Sequence, residues 1–290
     1  MSSSSTPSVI SSTISNTSPS SSSSSTSLHS LLSVQDALKA FNELYLSHPS
    51  SVGCDISSRA REEIGVSDEE LPSHPALTYG ETPLEAISSA LYYIETTYGQ
   101  DTINYSQTSF LDIGSGTGKP VFAAALLRPW KQCIGVEILE PLYIVSEEIN
   151  EYVWKTGLPY LLPGMKQPQY RIPIQSRKID IEFLCGDISE KNIVNWKNIS
   201  VAYACSTCFD DITIDKMATA ASLMNPGTFL ICSSVELDHA AWEPIHSLSA
   251  NMSWGLATIF IHKRRTKEEE EKAQILLTAA TNAKTAEGEK

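Results

Sequence analysis

Apolar residues in the middle of the chain occur in short runs typical of buried strands, separated by longer runs with helical spacing. These short runs predict strands at 110–113, 133–137, 179–185, 200–205, 228–234 and 256–262. The longer runs predict helices at 120–127, 141–154 and 212–224. The segment 157–174 is rich in proline, shows neither period and is predicted to be a loop. The alternation predicts an α/β fold in which helices cover both faces of a central, mostly parallel sheet.

The two ends of the chain have a different pattern. Residues 1–33 are about two-thirds serine and threonine and contain no charged residue, which predicts a disordered tail. Helical spacing over 34–45 predicts a helix that packs on the body, and residues 34–75 form a helical part of a single domain that extends to 266. Residues 267–290 are predicted to form a charged helix and a polar tail.

Charge and composition exclude several classes of function. The formal net charge of −13 disfavours broad binding to nucleic acid, which needs lysine and arginine to displace counterions, so direct binding is expected to be weak at most. The same charge favours a basic protein as partner. No run approaches the roughly 20 apolar residues that cross a bilayer, so no membrane span is predicted. The cysteines lie mostly in apolar runs without a secretory signal before them, and are expected to be buried, reduced thiols.

A short loop is predicted to precede a helix near residue 80. Thr82 is expected to cap this helix, with Pro83 at its first position, because a threonine hydroxyl can accept an orphan amide and proline has none to leave unpaired. The helix would then run through Leu91 and Ile94. Tyr79 to Glu81 therefore belong to the loop just before a helix.

The clearest chemical signal is the glycine-rich turn Asp112-Ile-Gly-Ser-Gly-Thr-Gly118, which follows a strand and opens a helix. Gly114 and Gly116 permit a tight turn and a close approach of the backbone to a ligand. Gly118 lets the helix begin close to the strand. The turn therefore predicts a site for a nucleotide-like ligand.

Two other nucleotide-binding interpretations of this turn fit less well. A phosphate-binding P-loop would need glycine in place of Ile113 and a hydroxyl residue in place of Pro120. A dinucleotide fingerprint would need its third glycine where Lys119 stands, so that interpretation is weakened but stays open. Glu137 ends the next strand about 20 residues after the turn, where a carboxylate can accept both ribose hydroxyls. Asp187 follows the third strand and is either a ligand contact or an ordinary turn aspartate.

Several segments together resemble the disruptor-of-telomeric-silencing family, whose members are histone lysine methyltransferases with a class I, Rossmann-like fold. The matching segments lie within residues 75–262 and are Tyr79-Gly80-Glu81-Thr82, Asp112 to Gly118, Gly135-Val-Glu137, Gly186-Asp187 and Ser253-Trp254. The Tyr-Gly-Glu loop discriminates most, because other class I methyltransferases do not carry it.

The resemblance implies a sheet of about seven strands, S-adenosyl-L-methionine (SAM) as cofactor, and methyl transfer to a lysine of a histone or another basic protein. The nucleus is the location that it implies, with the cytoplasm as the alternative. It also implies that Tyr79 and Glu81 close over the methionine part of the cofactor, with Glu81 on its charged end. The cofactor-binding residues that it implies are Tyr79, Glu81, Thr82, Asp112, Gly114, Ser115, Gly116, Thr117, Gly118, Glu137, Gly186 and Asp187.

The sequence departs from the family after the fourth strand, where a pair of asparagines is replaced by Ser206 and Thr207, which would have to place cofactor and lysine. Phe209 and Trp254 are candidates for the wall of a lysine channel, because aromatic faces tolerate a methylated cation, although both also suit a core. Cys205 and Cys208 lack a second pair of ligands, so no metal site is predicted.

The family's long basic arm is also missing, and Lys263-Arg264-Arg265 is the small positive cluster that stands near the end of the last strand. Three other functions stay open beside lysine methylation. They are methylation of a small molecule or RNA, a noncatalytic interaction role that keeps the fold, and nicotinamide-dependent oxidoreduction.

Overall fold

The structure is a computed structural model that describes residues 32–66, 77–160, 170–172 and 179–288. The helices are α1 (Val34–Leu44), α2 (Ser50–Glu63), α3 (Leu84–Tyr98), α4 (Lys119–Leu127), α5 (Glu140–Thr156), α6 (Asp211–Ala221) and α7 (Lys267–Gly288). The strands are β1 (Ser109–Ile113), β2 (Gln132–Glu137), β3 (Leu158–Tyr160), β4 (Tyr170–Ile172), β5 (Asp180–Cys185), β6 (Ile199–Ala204), β7 (Phe229–Ser233), β8 (Trp242–Met252) and β9 (Gly255–Arg264).

The central sheet has seven strands in the order β5-β2-β1-β6-β7-β9-β8. Strands β5, β2, β1, β6 and β7 are parallel, whereas β9 runs antiparallel to both of its neighbours. This confirms the predicted α/β fold with a mostly parallel sheet of about seven strands. The chain leaves β1 toward β2 on one side, while β6 lies on the other side, so a crevice opens at the carboxyl ends of β1 and β6.

Helices pack on both faces of the sheet because its central strands are buried on both sides. Phe110 and Tyr203 point into a core formed with α1, α3, α4 and α5. Leu111 and Ala202 point into the opposite core, which α6 covers. Every residue of α4 is buried, so the glycine turn that leads into it is held from behind.

Four elements have no individual counterpart in the prediction, although one of them, α2, lies within the predicted helical part 34–75. The edge strand β8 carries polar residues at most of its exposed positions, so its apolar pattern is weak. Helix α2 is rich in serine and polar residues and has little apolar period. Within the predicted loop 157–174, β3 and β4 form an antiparallel pair, and the loop prediction is wrong there; residues 161–169 and 173–174 lie outside the described part.

The start of α3 also differs from its prediction. The helix begins at Leu84, and Pro83 occupies the cap position without a side-chain hydrogen bond. The Thr82 hydroxyl instead pairs with the Tyr203 hydroxyl at 2.5 Å in the buried interior. The partner of Thr82 is thus the buried Tyr203 hydroxyl on β6, and not a backbone amide of the helix.

At the ends of the chain the structure adds detail without testing the proposed division into tail, domain and charged helix, which stays a prediction. Residues 1–31 lie outside the described part, while Ser33 caps α1 by accepting the Asp36 amide at 3.1 Å. Helix α7 continues to Gly288, further than its apolar spacing indicates. Within the described ranges no helix is long and apolar enough to cross a membrane.

The prediction of buried cysteines holds for only some of them. Cys133 and Cys232 are buried, and Cys205 and Cys208 are partly buried. Cys54 and Cys185 are exposed, because they lie on a polar helix and at the end of an edge strand. All of these thiols are free in the structure.

Candidate active site

A cavity lies in the crevice at the carboxyl ends of β1, β2 and β6. Its wall is built from the Tyr79–Thr82 loop, the glycine turn and the segments that follow β2, β5 and β6. Residues of α6 complete the wall. The cavity therefore contains most segments that the sequence analysis identified, although the first and last of them, at Tyr79 and Phe209, are 130 positions apart in the chain.

The glycine turn adopts a backbone that other residues rarely take. Gly114, Gly116 and Gly118 have φ values of 74°, 54° and 84°, all in the left-handed region. At Gly116 a Cβ would lie 2.7 Å from the ring of Tyr79, so only glycine leaves room for this contact. Gly114 and Gly116 line the cavity, whereas Gly118 lies behind it against Phe183.

Glu137 connects the end of β2 to the glycine turn. Its Oε2 accepts the Gly116 amide at 2.7 Å, and its Oε1 accepts the Leu139 amide at 2.8 Å. Burial raises the pKa of Glu137, and the amides of Leu139 and Gly116 partly oppose that shift. Each carboxylate oxygen has two lone pairs, so this side chain can still accept a pair of hydroxyls from a ligand in the cavity.

Asp112 is fully buried just behind the cavity wall. Among the described residues neither of its carboxylate oxygens has a hydrogen-bond partner. Burial raises the pKa of Asp112 well above its usual value, and the neighbouring Glu137 raises it further. The Ser115 hydroxyl, which belongs to the cavity wall, also lacks a partner in the described part. Buried polar groups are rarely left unpaired, so these atoms indicate a site shaped for a polar or cationic ligand.

The Tyr79 side chain folds onto the glycine turn. Its hydroxyl donates to Glu81 Oε1 at 2.7 Å and is hydrogen-bonded to Thr117 Oγ1 at 3.0 Å. Its ring lies between Gly53 of α2 and Gly116, in contact with both. Burial raises the pKa of Tyr79, and the Glu81 carboxylate adds to the shift, so the hydroxyl stays protonated.

Glu81 is held by the protein itself. Its Oε2 accepts hydrogen bonds from the Ser50 hydroxyl and from the Lys119 ammonium, which forms a buried ion pair with it. The resemblance implies a direct contact of Glu81 with the charged end of the cofactor, whereas the structure gives Glu81 an internal partner. Lys119 was not identified from the sequence as a site residue, and its position directly after the third glycine is the signal that could have found it.

The tip of the β8–β9 hairpin packs on the Tyr79–Thr82 loop and is hydrogen-bonded to it. Ser253 Oγ accepts the Glu81 amide at 2.9 Å, and the Ser253 amide donates to the Glu81 carbonyl at 3.1 Å. The Trp254 ring lies directly against Gly80, where a Cβ would come within 2.5 Å of it. Trp254 is 41% exposed, so its outer face is open to a partner.

The segment after β6 places its side chains differently from expectation. The Ser206 hydroxyl donates to the Ser233 carbonyl at 2.8 Å, and the Thr207 hydroxyl pairs with the hydroxyls of Ser233 and Ser234 at 3.0 Å each. These bonds tie the segment to the end of β7, so neither side chain reaches the cavity. The flanking Phe209 lines it instead.

Cys205 is the other residue of this segment in the cavity wall. Burial raises the pKa of the Cys205 thiol to about 12, so it remains a thiol and not a nucleophilic thiolate. Its sulfur lies 4.0 Å from the Gly80 carbonyl, beside the Tyr79–Thr82 loop. In the described part of the chain no group of three or more histidines, cysteines, aspartates and glutamates could hold a metal ion.

Three further residues of the predicted site also line the cavity. Thr82, Gly186 and Asp187 all belong to the cavity wall. Asp187 Oδ1 also accepts the Ser189 amide at 2.8 Å, which shapes the turn after β5. Asp187 thus both stabilises a turn and lines the cavity.

The site has the features that SAM requires. The left-handed glycine cradle allows close backbone approach, Glu137 offers acceptors for ribose hydroxyls, and the unpaired oxygens of Asp112 suit the cationic methionine end. Together with the sheet order, these features define a class I, SAM-dependent methyltransferase. Residues 70–176 match the family model described as "Histone methylation protein DOT1". This match confirms the resemblance found in the sequence, that of a divergent DOT1-like protein.

Solved structures with a similar fold include TrmN from Thermus thermophilus, which is 11% identical with a TM-score of 0.43. The match covers 63% of this chain and 49% of the TrmN chain. Magnesium protoporphyrin IX methyltransferase (ChlM) from Synechocystis PCC 6803, with bound SAM, is 12% identical with a TM-score of 0.42, over 79% of this chain and 97% of that one. The M1A22 tRNA methyltransferase TrmK from B. subtilis is 11% identical with a TM-score of 0.38, and the match covers 61% of this chain and 64% of the TrmK chain. No curated protein matches the sequence.

Proposed function

We propose that this methyltransferase is a protein lysine N-methyltransferase that acts on a histone or another basic protein in the nucleus. The observation that carries the proposal is the segment matched by the histone-methylation family, which includes the Tyr79–Glu81 loop. In the structure this loop folds onto the glycine turn through the contact of Tyr79 with Gly116. The feature that distinguishes the family in sequence thus forms part of the cavity wall.

Bound SAM supplies an electrophilic methyl group on a sulfonium. The residues that would hold it are the glycine cradle, Glu137 at the ribose and Asp112 near the methionine end. Methyl transfer is an in-line displacement, so the protein has mainly to align the acceptor nitrogen and exclude water. The Tyr79–Thr82 loop, which is buried at Glu81 and Thr82, and the hairpin tip that packs on it would help to exclude water.

The acceptor lysine must lose its proton before it can attack. A lysine with the usual pKa near 10.4 costs on the order of 4–5 kcal/mol to hold neutral at pH 7. Two carboxylates of the cavity wall already have partners, since Glu81 binds Lys119 and Glu137 accepts backbone amides. We therefore infer that desolvation beside Phe209 and Trp254 lowers the pKa of the lysine, which releases its proton to the surrounding water as it enters the site. The two rings also tolerate the methylated cation.

The basic cluster near the end of β9 is used inside the fold. The Arg264 guanidinium donates to the Ser222 carbonyl at 2.8 Å and forms an ion pair with Glu270 at 2.7 Å. Arg265 donates to the carbonyl of Ala240, and the Lys263 ammonium lies 4.8 Å above the Tyr98 ring. With a net charge of −13, this arrangement favours a free basic protein over nucleosomal DNA as the surface that is recognised.

The test is transfer of a labelled methyl group from SAM to free core histones, to reconstituted nucleosomes and to a metabolite and RNA extract. We expect label on a histone lysine, with free histones labelled faster than nucleosomes, and the modified peptide identified by mass spectrometry. Label confined to RNA or small molecules would contradict the proposal. SAM binding without transfer to any protein would point to a noncatalytic role and contradict it as well.

Replacing Trp254 by alanine separates acceptor placement from cofactor binding. Because its ring covers Gly80 outside the cradle, SAM affinity should change by less than about threefold while methyl transfer falls about tenfold or more. Trp154→Ala is the matched control, since Trp154 is 57% exposed on α5, and it should leave both unchanged. Equal loss in both variants would remove Trp254 from the acceptor site.

A further inference from the structure

The Lys119 ammonium is a buried cation with unused hydrogen-bond donors at the cavity. Lys119 begins α4, is 9% exposed and belongs to the cavity wall. Its partners among the described residues are the Glu81 carboxylate and the face of the Tyr45 ring, 4.9 Å from Nζ. An ammonium has three N–H donors, so two are left for an anion in the cavity.

Glu81, in contrast, has three of its four acceptor positions filled. Its Oε1 accepts the Tyr79 hydroxyl, and its Oε2 accepts both Ser50 and Lys119. Its backbone is fixed at both polar atoms by Ser253. A buried carboxylate so tightly held compensates the charge of Lys119 and fixes the direction of its side chain, but has little capacity left for a ligand.

Tyr45 connects Lys119 to the glycine turn that begins at Asp112. Its hydroxyl donates to the Thr117 carbonyl at 3.0 Å, and its ring faces the Lys119 ammonium. This end of the cavity therefore presents an ammonium with two unused donors, and the adjoining glycine turn begins at Asp112, whose carboxyl oxygens have no partner among the described residues. The ammonium suits the α-carboxylate of an amino acid, and the carboxyl group suits its α-ammonium.

We propose that Lys119 binds the α-carboxylate of the cofactor's methionine part, and that Glu81 is a positioning residue for Lys119 and not a direct ligand of the cofactor. The proposal rests on the binding of SAM in this cavity. It makes the α-carboxylate a specificity determinant, so the protein distinguishes SAM from decarboxylated SAM, which keeps the amine, the sulfonium and the nucleoside.

The test compares the affinities of SAM and decarboxylated SAM by isothermal titration calorimetry of the full chain. The unaltered protein should prefer SAM roughly 10- to 100-fold, the value of a charge-assisted hydrogen bond. Lys119→Met and Lys119→Gln, of which the second keeps a donor for Glu81, should reduce the preference to about twofold or less. Lys119→Arg keeps a cation and should retain most of it.

Glu81→Gln distinguishes positioning from direct contact. If Glu81 bound the cofactor's ammonium, the variant would weaken both ligands equally, because both carry that amine, and the second part of the proposal would be overturned. A positioning role predicts that Glu81→Gln loses affinity for SAM but not for decarboxylated SAM, so the ratio of the two affinities falls. Lys216→Met removes another lysine from the cavity wall and should leave the ratio unchanged.

The outcomes separate this proposal from the assignment beneath it. Binding of SAM with an undiminished preference in the folded Lys119→Met and Lys119→Gln variants would overturn the role of Lys119 and leave the methyltransferase assignment intact. The role of Lys119 would also be overturned if Lys216→Met lost the preference for SAM over decarboxylated SAM while the Lys119 variants kept it. Failure of the unaltered protein to bind either ligand would instead remove the cofactor assignment itself.

Discussion

Replacing Asp112 by asparagine is expected to weaken SAM binding roughly 100-fold and, at the same time, to stabilise the ligand-free protein. The carboxyl group is fully buried, and within the described residues neither oxygen has a partner. Asparagine removes a charge that no described residue compensates, which should add about 1–3 kcal/mol to the free energy of unfolding near pH 8. It also removes the anion that the cationic methionine end requires.

The pH dependence of the ligand-free protein follows from the same group. Burial raises the pKa of folded Asp112 well above its usual 3.8, so the folded state holds this proton more tightly than the unfolded state. Below about pH 3.8 both states are protonated and this group costs nothing. As the pH rises toward the raised pKa, the unfolded chain releases the proton first and stability declines. Glu137, whose pKa burial also raises, contributes a decline of the same sign.

Thermal unfolding from pH 4 to 8 and titration with SAM measure the two effects of Asp112→Asn. The variant should show a shallower decline of stability with pH than the unaltered protein. Asp180→Asn, at an exposed aspartate on the edge strand β5, should change neither quantity and serves as the control. A destabilised variant with normal SAM affinity would show that Asp112 is a structural residue and not part of the cofactor site.

Replacing Gly116 by alanine should destabilise the fold by about 2–4 kcal/mol and weaken SAM binding at least about tenfold. A left-handed φ of 54° costs a side chain about 1–2 kcal/mol. The added Cβ would also meet the Tyr79 ring at 2.7 Å and push it off the glycine turn. That movement would break the hydrogen bonds of Tyr79 with Thr117 and Glu81.

Gly227→Ala is a matched control, because Gly227 has a φ of 85° and nothing within 4 Å of its Cβ position. It should cost about 1–2 kcal/mol from backbone strain and leave SAM affinity unchanged. Chemical denaturation and calorimetry of both variants give the comparison. Equal effects of the two substitutions on SAM affinity would mean that the contact of Gly116 with Tyr79 has no part in the site.

The parts of the fold that the sequence predicts are those with local causes. The central parallel strands are buried on both faces and consist largely of apolar residues, as in Phe229 to Cys232. The glycine turn is readable because its left-handed backbone demands glycine. Strand β8 escapes prediction because an edge strand exposes much of its surface and carries serine, histidine and asparagine where a buried strand has apolar residues.

The missed parts of the site depend on contacts between distant segments. The Glu81–Lys119 ion pair joins residues 38 positions apart, and its formation depends on how the Tyr79–Thr82 loop lies on the turn. Ser206 and Thr207 were assigned to the site from their position after β6, yet the end of β7 offers partners that turn both hydroxyls away. Spacing identifies which loops meet, but the side-chain directions follow from the packed structure.

Calorimetric titration of the full chain with SAM and with its demethylated product tests the identity of the cavity most directly. The glycine cradle, Glu137 and Asp112 predict saturable binding of one ligand per chain, competition between the two ligands, and loss of the heat signal in Asp112→Asn. Absence of binding by both ligands to the folded protein would contradict the assignment of this cavity as a SAM site.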